Sequence, residues 1–366
     1  MNRSSVMLLI ALAAVGPAVG QDIPIPKHRA KQIEAAAPAK PRAAPKKPRR
    51  VLIWNTPKHL LHRDPHKRWC TPYGCHAMKV LGTKTGAYQP VASDDVAVFL
   101  PASIKQFDAI ILNNAAGNWI TPSDEAMPKL KNHGDKGAVE KMLRKSILDW
   151  VNRGGGIVAY HFSMGANRNW PEFGQLLGGR IAGHPWHEEV GIKVEEPTHP
   201  LVAAFGGKGF RLHEEIFQYR APFDRAKCRV LLSLDNDATN MDVKNYRLRE
   251  DRDFALAWVK SVGKGRVFYT SLGHRTQLYW TPQVLQFYLD AIQFATGDLE
   301  APTKPRPAGA CKPSRAPKPA AKPKAKPKAA SAPPAARMPH FAGVNWSFQT
   351  LTAFHLSASA GRRITS

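Results

Sequence analysis

An α/β domain built on a doubly wound, mostly parallel central sheet is the fold that this sequence predicts, and three observations predict it. Short apolar runs (Val51-Leu52-Ile53-Trp54, Ala109-Ile110-Ile111-Leu112 and Ile157-Val158-Ala159-Tyr160) lack polar alternation, which suits strands covered on both faces. Val139, Met142, Leu143, Ile147, Trp150 and Val151 recur at helical spacing between two of those runs and mark one face of an amphipathic helix. The order strand, helix, strand, strand, helix, strand is that of parallel strands joined by crossovers.

Each element follows in chain order. Residues 51–55 form the first strand and lead into a polar loop with His59, His62, Asp64 and His66. A helix is expected around 75–81, ended by Gly82 and Gly86, then strands at 88–92 and 107–112, the latter running into Asn113 and Asn114. The helix at 138–153 stops at Gly154-Gly155-Gly156, and the strand after this turn ends at His161. Pro171 suits the first turn of a short helix at 170–178. Strands at 189–195, 214–219, 229–234, 254–260 and 266–271 extend the sheet or form a layer against it, and a helix at 282–296 closes the domain at Gly297.

The uneven composition sets the boundaries. Arg3 followed by the apolar run 6–15 and the small residues Ala18-Val19-Gly20 reads as a signal peptide over 1–20 with cleavage after Gly20, which implies export to a periplasmic or extracellular space. The run is too short to span a membrane. The net charge of +25 belongs to the tails: segment 21–50 has nine Lys/Arg against two acids and segment 301–366 twelve against none. With Arg3 counted, residues 51–300 keep only +5, so no specific nucleic-acid partner is expected. Segments 21–50 and 301–337 read as disordered Pro/Ala/Lys linkers suited to anionic cell-surface polymers. Residues 51–300 form the folded domain, and 338–366 carry no periodicity that assigns them.

Cys70 and Cys75 flank Pro72 and Gly74, a spacing that suits a small-loop disulfide in an oxidising compartment. Cys228, in an apolar run, reads as core, and Cys311 falls in the tail.

Ligands in open parallel sheets bind beyond the carboxyl ends of the strands, and polar residues gather at those predicted ends. His161, His184, Glu214 and His274 are the candidate catalytic residues. Asn113, Asn114, Trp186, His187 and Arg266 are the candidate substrate contacts. Two chemistries fit this set. One is acid/base work on a sugar, an imidazole titrating near neutrality beside a carboxylate, with Trp119, Trp170, Trp186 or Trp280 offering flat faces to a ring. The other is a divalent metal held by His161, His184, His187 and Glu214. His199-Pro200 fits a turn in which the imidazole caps a backbone group.

The ordered series Gly154-Gly155-Gly156-Ile157-Val158-Ala159-Tyr160-His161, Leu177-Gly178-Gly179, Gly183-His184-Pro185, His199-Pro200, Glu214-Glu215-Ile216-Phe217 and Gly263-Lys264-Gly265-Arg266-Val267-Phe268-Tyr269-Thr270-Ser271-Leu272-Gly273-His274 resembles the trehalose-utilisation (ThuA-like) family. The resemblance runs over residues 51–297. It implies a flavodoxin-like, class I glutamine amidotransferase-like three-layer sandwich. In those amidotransferases a cysteine occupies the turn where this chain has His161, so the resemblance implies the fold without the thiolate chemistry. It also implies a protein acting on trehalose or a related sugar, as a hydrolase or lyase, and the signal peptide makes that protein an exported one. A non-catalytic carbohydrate-binding protein and a metal-dependent hydrolase are the alternatives. The family carries an Asp-Glu pair where this chain has Glu214-Glu215, which leaves either carboxylate to face the site.

Overall fold

A computed structural model describes residues 23–61, 65–307, 309 and 312–319, with the backbone alone at 65–69. The expected signal peptide, His62, Asp64, the His66 side chain, Cys311 and residues 320–366 lie outside the described residues. Among the described residues there are seven α-helices: α1 Lys27–Ala36, α2 Lys58–Leu61, α3 Pro65–Thr85, α4 Met127–Leu130, α5 Lys136–Asn152, α6 Pro171–Leu177 and α7 Pro282–Thr296. Nine strands accompany them: β1 Arg50–Trp54, β2 Gln89–Ser93, β3 Ala109–Leu112, β4 Gly156–Tyr160, β5 Arg180–Val194, β6 Phe210–Arg220, β7 Arg229–Leu234, β8 Ala255–Val262 and β9 Gly265–Thr270. All nine belong to one sheet, in the order β2-β1-β3-β4-β9-β8-β7-β5-β6.

The apolar runs are continuous because helices cover both faces of this part of the sheet. Val51 and Ile53 join one core with Met78 of α3 and Leu285 and Ile292 of α7. Leu52 and Trp54 join the other with Val139, Leu143 and Ile147 of α5. Gly156 opens β4 because a Cβ there would lie 2.2 Å from the Ala295 carbonyl oxygen of α7. The helix can pack this closely only on glycine.

The expected mostly parallel sheet is half parallel. β2, β1, β3, β4 and β9 run parallel, and β9, β8, β7, β5 and β6 pair antiparallel. Antiparallel strands need only a tight turn between them, and Gly263-Lys264 supplies one between β8 and β9, with Gly263 at φ +56°. β5 starts nine residues before the expected 189, at Arg180. Register shifts on either side of Gly183 let the strand accommodate Gly183 and Pro185, residues that locally read as a loop.

Two further expectations are corrected. Cys70 and Cys75 both lie in α3 and are not joined. Five residues of helix turn through about 140°, so the sulfurs face different neighbours: Cys70 Sγ accepts from Asn114 and Cys75 Sγ from Asn55. The described part of the basic segment, residues 23–50, is not a loose linker. It forms α1, and Arg42 then bonds Asp290 at 2.9 Å while Arg49 bonds Asp298 at 2.6 Å and Asp108 at 3.0 Å. Both Asp290 and Asp298 have fully buried side chains that require cations. The tail likewise packs beyond residue 300, where Ser314 bridges Val194 and the Ala316 N–H donates to Asp235 at 2.9 Å. No helix among the described residues is long and apolar enough to cross a membrane.

Candidate functional site

His161 is placed by four elements at once. β4 is buried throughout and ends at Tyr160, and His161 opens the following turn at φ +45°. Its Nδ1 lies 2.7 Å from the Ser271 carbonyl beyond β9. A carbonyl oxygen only accepts, so Nδ1 carries the proton. The Tyr269 hydroxyl donates to the His161 carbonyl at 2.8 Å, and Phe217 of β6 stacks on the imidazole at 4.3 Å. Gly273 lets the loop after β9 approach, because a Cβ there would sit 3.0 Å from that of His161.

The carboxylate that meets His161 is Glu215. Neighbouring residues of a strand point to opposite faces, and β6 divides Glu214 from Glu215 in this way. Glu214 is fully buried and accepts the backbone N–H of His274 at 2.7 Å and of Arg275 at 3.1 Å. Glu215 turns to the other face, where Oε2 lies 2.9 Å from His161 Nε2 and 3.3 Å from His274 Nδ1. Its Oε1 lies 3.4 Å from Nδ1 of the exposed His184, which also bonds the Tyr246 hydroxyl at 3.2 Å. Directly across from Glu215 on β5 stands His187, its ring edge-on to His274 at 4.9 Å. His161, Glu215 and His274 each offer a ligand atom within 4.8 Å of the others, and this trio could hold a metal.

Environment gives the two glutamates opposite characters. Burial pushes Glu214 up to about 7, against the pull of the two N–H donors. Burial also works to raise Glu215, but the His161 and His274 imidazoles beside it, in their protonated forms, hold it well below the usual carboxylate range. Burial lowers His161 despite the Glu215 carboxylate beside it, which works to raise it. For His274 burial acts in the same direction, but Glu215 outweighs it and the imidazole is raised. His187 is lowered by burial and by the neighbouring charges of His274 and Arg275.

A family model described as ThuA, trehalose utilisation, matches residues 50–295. The chain belongs to the ThuA family. A ThuA-like protein of Bacteroides uniformis is 21% identical, with 70% of this chain and 94% of that one covered and a TM-score of 0.49. One from Parabacteroides merdae is 16% identical, with 71% and 98% covered and a TM-score of 0.47. A search of the curated proteins finds no match.

In this ThuA chain the structure brings together His161, His184, His187 and His274 of the expected set and replaces Glu214 by Glu215. Asn114 stands behind the site: its Nδ2 donates to the Gly273 carbonyl at 2.8 Å and its Oδ1 accepts the Phe162 N–H at 3.2 Å. Asn113 turns away, donating to Asn55 Oδ1 and the Thr71 carbonyl. Trp186 is core, fully buried with its N–H on the Asn240 carbonyl. Arg266 pairs with Gly156 at the start of β4, the opposite end of the strand from His161. Of the other tryptophans, Trp119 and Trp170 are buried, and the Arg29 guanidinium covers Trp280 at 4.5 Å. His199 caps a turn, accepting the Leu201 N–H at 3.3 Å. Sequence reasoning took Glu214 and left open whether Glu215 faces the site instead, because the two are equally acidic and adjacent. The β5–β6 register, which pairs His187 with Glu215, is the signal that separates them.

Proposed function

We propose that this ThuA chain is an enzyme acting on a carbohydrate or sugar derivative, with Glu215 and its imidazoles as the reactive centre. One observation carries the reading: three imidazoles, from the loops after β4 and β9 and from β5, converge on a single carboxylate at one edge of the sheet. The family description supplies the sugar. Both ring nitrogens of His161 are engaged and the residue is buried, so it is a poor donor to a substrate. His184, exposed and bonded to Glu215 and Tyr246, is the residue placed to move a proton on a sugar oxygen or carbon, as hydrolysis or elimination requires.

The order β2-β1-β3-β4-β9 supports a flavodoxin-like reading of the parallel half, and the amidotransferase-like turn is then the one that His161 occupies. Cys70 and Cys75, held against Asn114 and Asn55, are not at that turn, which argues against a thiolate mechanism. The signal-peptide pattern of residues 1–20 supports export, and the basic residues beyond 319 suit anionic surface polymers.

The test is product analysis of purified chain incubated with a panel of mono- and disaccharides and their oxidised derivatives. His184→Ala should slow turnover about 100-fold or more, the scale of a lost acid/base group. Saturable sugar binding without product would replace the enzyme by a binding protein, and unchanged turnover in His184→Ala would remove its role.

A further inference from the structure

We infer that His161 Nε2, Glu215 Oε2 and His274 Nδ1 bind one divalent transition-metal ion; this rests on the reading of the same centre as catalytic and gives it a cofactor. His161 Nδ1 donates to the Ser271 carbonyl at 2.7 Å, so in the neutral ring Nε2 has only a lone pair to present. That lone pair faces a carboxylate oxygen at 2.9 Å, and two acceptors at this separation need a cation between them. A second imidazole nitrogen, His274 Nδ1, approaches the same oxygen at 3.3 Å.

The spacing fits a metal. Ligands bound at about 2.1 Å and about 90–110° apart stand about 3.0–3.4 Å from each other; the 3.3 Å separation of His274 from Glu215 lies within that range and the 2.9 Å separation of His161 just below it. Two imidazoles and one carboxylate suit zinc, iron(II) or manganese and leave further positions for water or substrate. The surroundings fit as well. Metal-bound histidines commonly donate their other N–H to a backbone carbonyl, as His161 does to Ser271. Its carbonyl is fixed by Tyr269, its ring by Phe217, and the backbone of His274 by Glu214. The donors are therefore set before any ion arrives.

The competing occupant is a proton, which would make His161 a buried imidazolium paired with Glu215. Metal titration separates the two. Full-length chain freed of metal with a chelator and dialysed is titrated with ZnCl2 by calorimetry and with CoCl2 by visible absorption, and the dialysed complex is assayed for metal content. One equivalent of metal, with cobalt bands showing nitrogen and oxygen ligation, is the expected result. Glu215→Gln and His274→Ala should each weaken uptake by more than the 10–100-fold typical of a lost supporting contact, whereas His187→Ala should change it by less than about threefold. Near-ultraviolet circular dichroism and the melting temperature report folding of each variant. Glu215→Gln, which keeps the shape, carries the test if His274→Ala unfolds. Absence of stoichiometric uptake, or uptake retained in a folded Glu215→Gln, overturns the assignment. Sugar turnover by metal-free chain would also remove the metal while the sugar reading stands. One bound equivalent in a chain that turns over no sugar would uphold the metal and remove the sugar reading.

Discussion

The parallel and antiparallel halves of the sheet contribute unlike things to the site. The parallel half, covered on both faces, supplies rigid backbone: the end of β4 sets His161, and the end of β9 supplies the Ser271 carbonyl that fixes its ring. The antiparallel half supplies the accessible chemistry, with Glu215 on β6 and His184 on β5. Burial on both faces fixes position at the expense of access to solvent. A strand with one open face gives access, but its function depends on a register that alternates with every residue. The site forms where the two meet, and changes in each half should fail in different ways.

Arg49→Ala is expected to have the largest effect on the parallel half, because it leaves the fully buried Asp298 without its guanidinium. Losing one partner of a buried pair costs about 3 kcal/mol, measurable as a lower denaturant midpoint. The pH dependence has a definite sign. Burial works to raise Asp298, yet Arg49 holds it below its ordinary value. A carboxyl depressed in the folded state stabilises above the unfolded value of about 4 and loses that contribution as the pH falls below it. The gap between wild type and Arg49→Ala should therefore narrow below about pH 4. A gap of constant size would show that Asp298 does not carry it.

Gly156→Ala should cost less, about 1–3 kcal/mol by overpacking, since its Cβ would meet the Ala295 carbonyl oxygen. It should lower stability, with turnover per folded molecule preserved. A variant as stable as wild type would mean that α7 does not press on β4 as described. His187→Ala in the open half should have the smallest effect. The ring is exposed and contacts His274 only edge-on, so the melting temperature should be unchanged and turnover should fall by less than about threefold. A loss as large as that of His184→Ala would move the proton-transfer role across β5.

The same contrast explains how much was legible in the sequence. β1, β3, β4 and β9, helices α5 and α7 and the place of His161 after β4 could be read because a strand covered on both faces leaves an apolar run and an amphipathic helix leaves a period. β5 was harder, since Gly183 and Pro185 read locally as a loop while the β6 partnership that makes them strand lies about 30 residues away in sequence. The segment 21–50 looked like a spacer because the carboxylates that hold it, Asp290 and Asp298, are some 250 residues distant. Trp186 and Arg266 have residue types that suit a sugar site, but one lies in the core and the other at the wrong end of its strand. Glu214 and Glu215 could not be told apart without the register.

The distinction between these two glutamates is the centre of the account, and one comparison tests it: kcat/KM of Glu215→Gln against Glu214→Gln on whichever sugar the screen identifies, with the melting temperature of each. Glu215→Gln should lose about 100- to 10,000-fold while remaining folded, with a lower melting temperature at neutral pH because the folded state favours the Glu215 carboxylate. Glu214→Gln should melt earlier, since it disturbs acceptors of buried N–H groups, and keep most of its turnover when folded. The reverse pattern, with Glu215→Gln active and a folded Glu214→Gln inactive, would contradict the site described here.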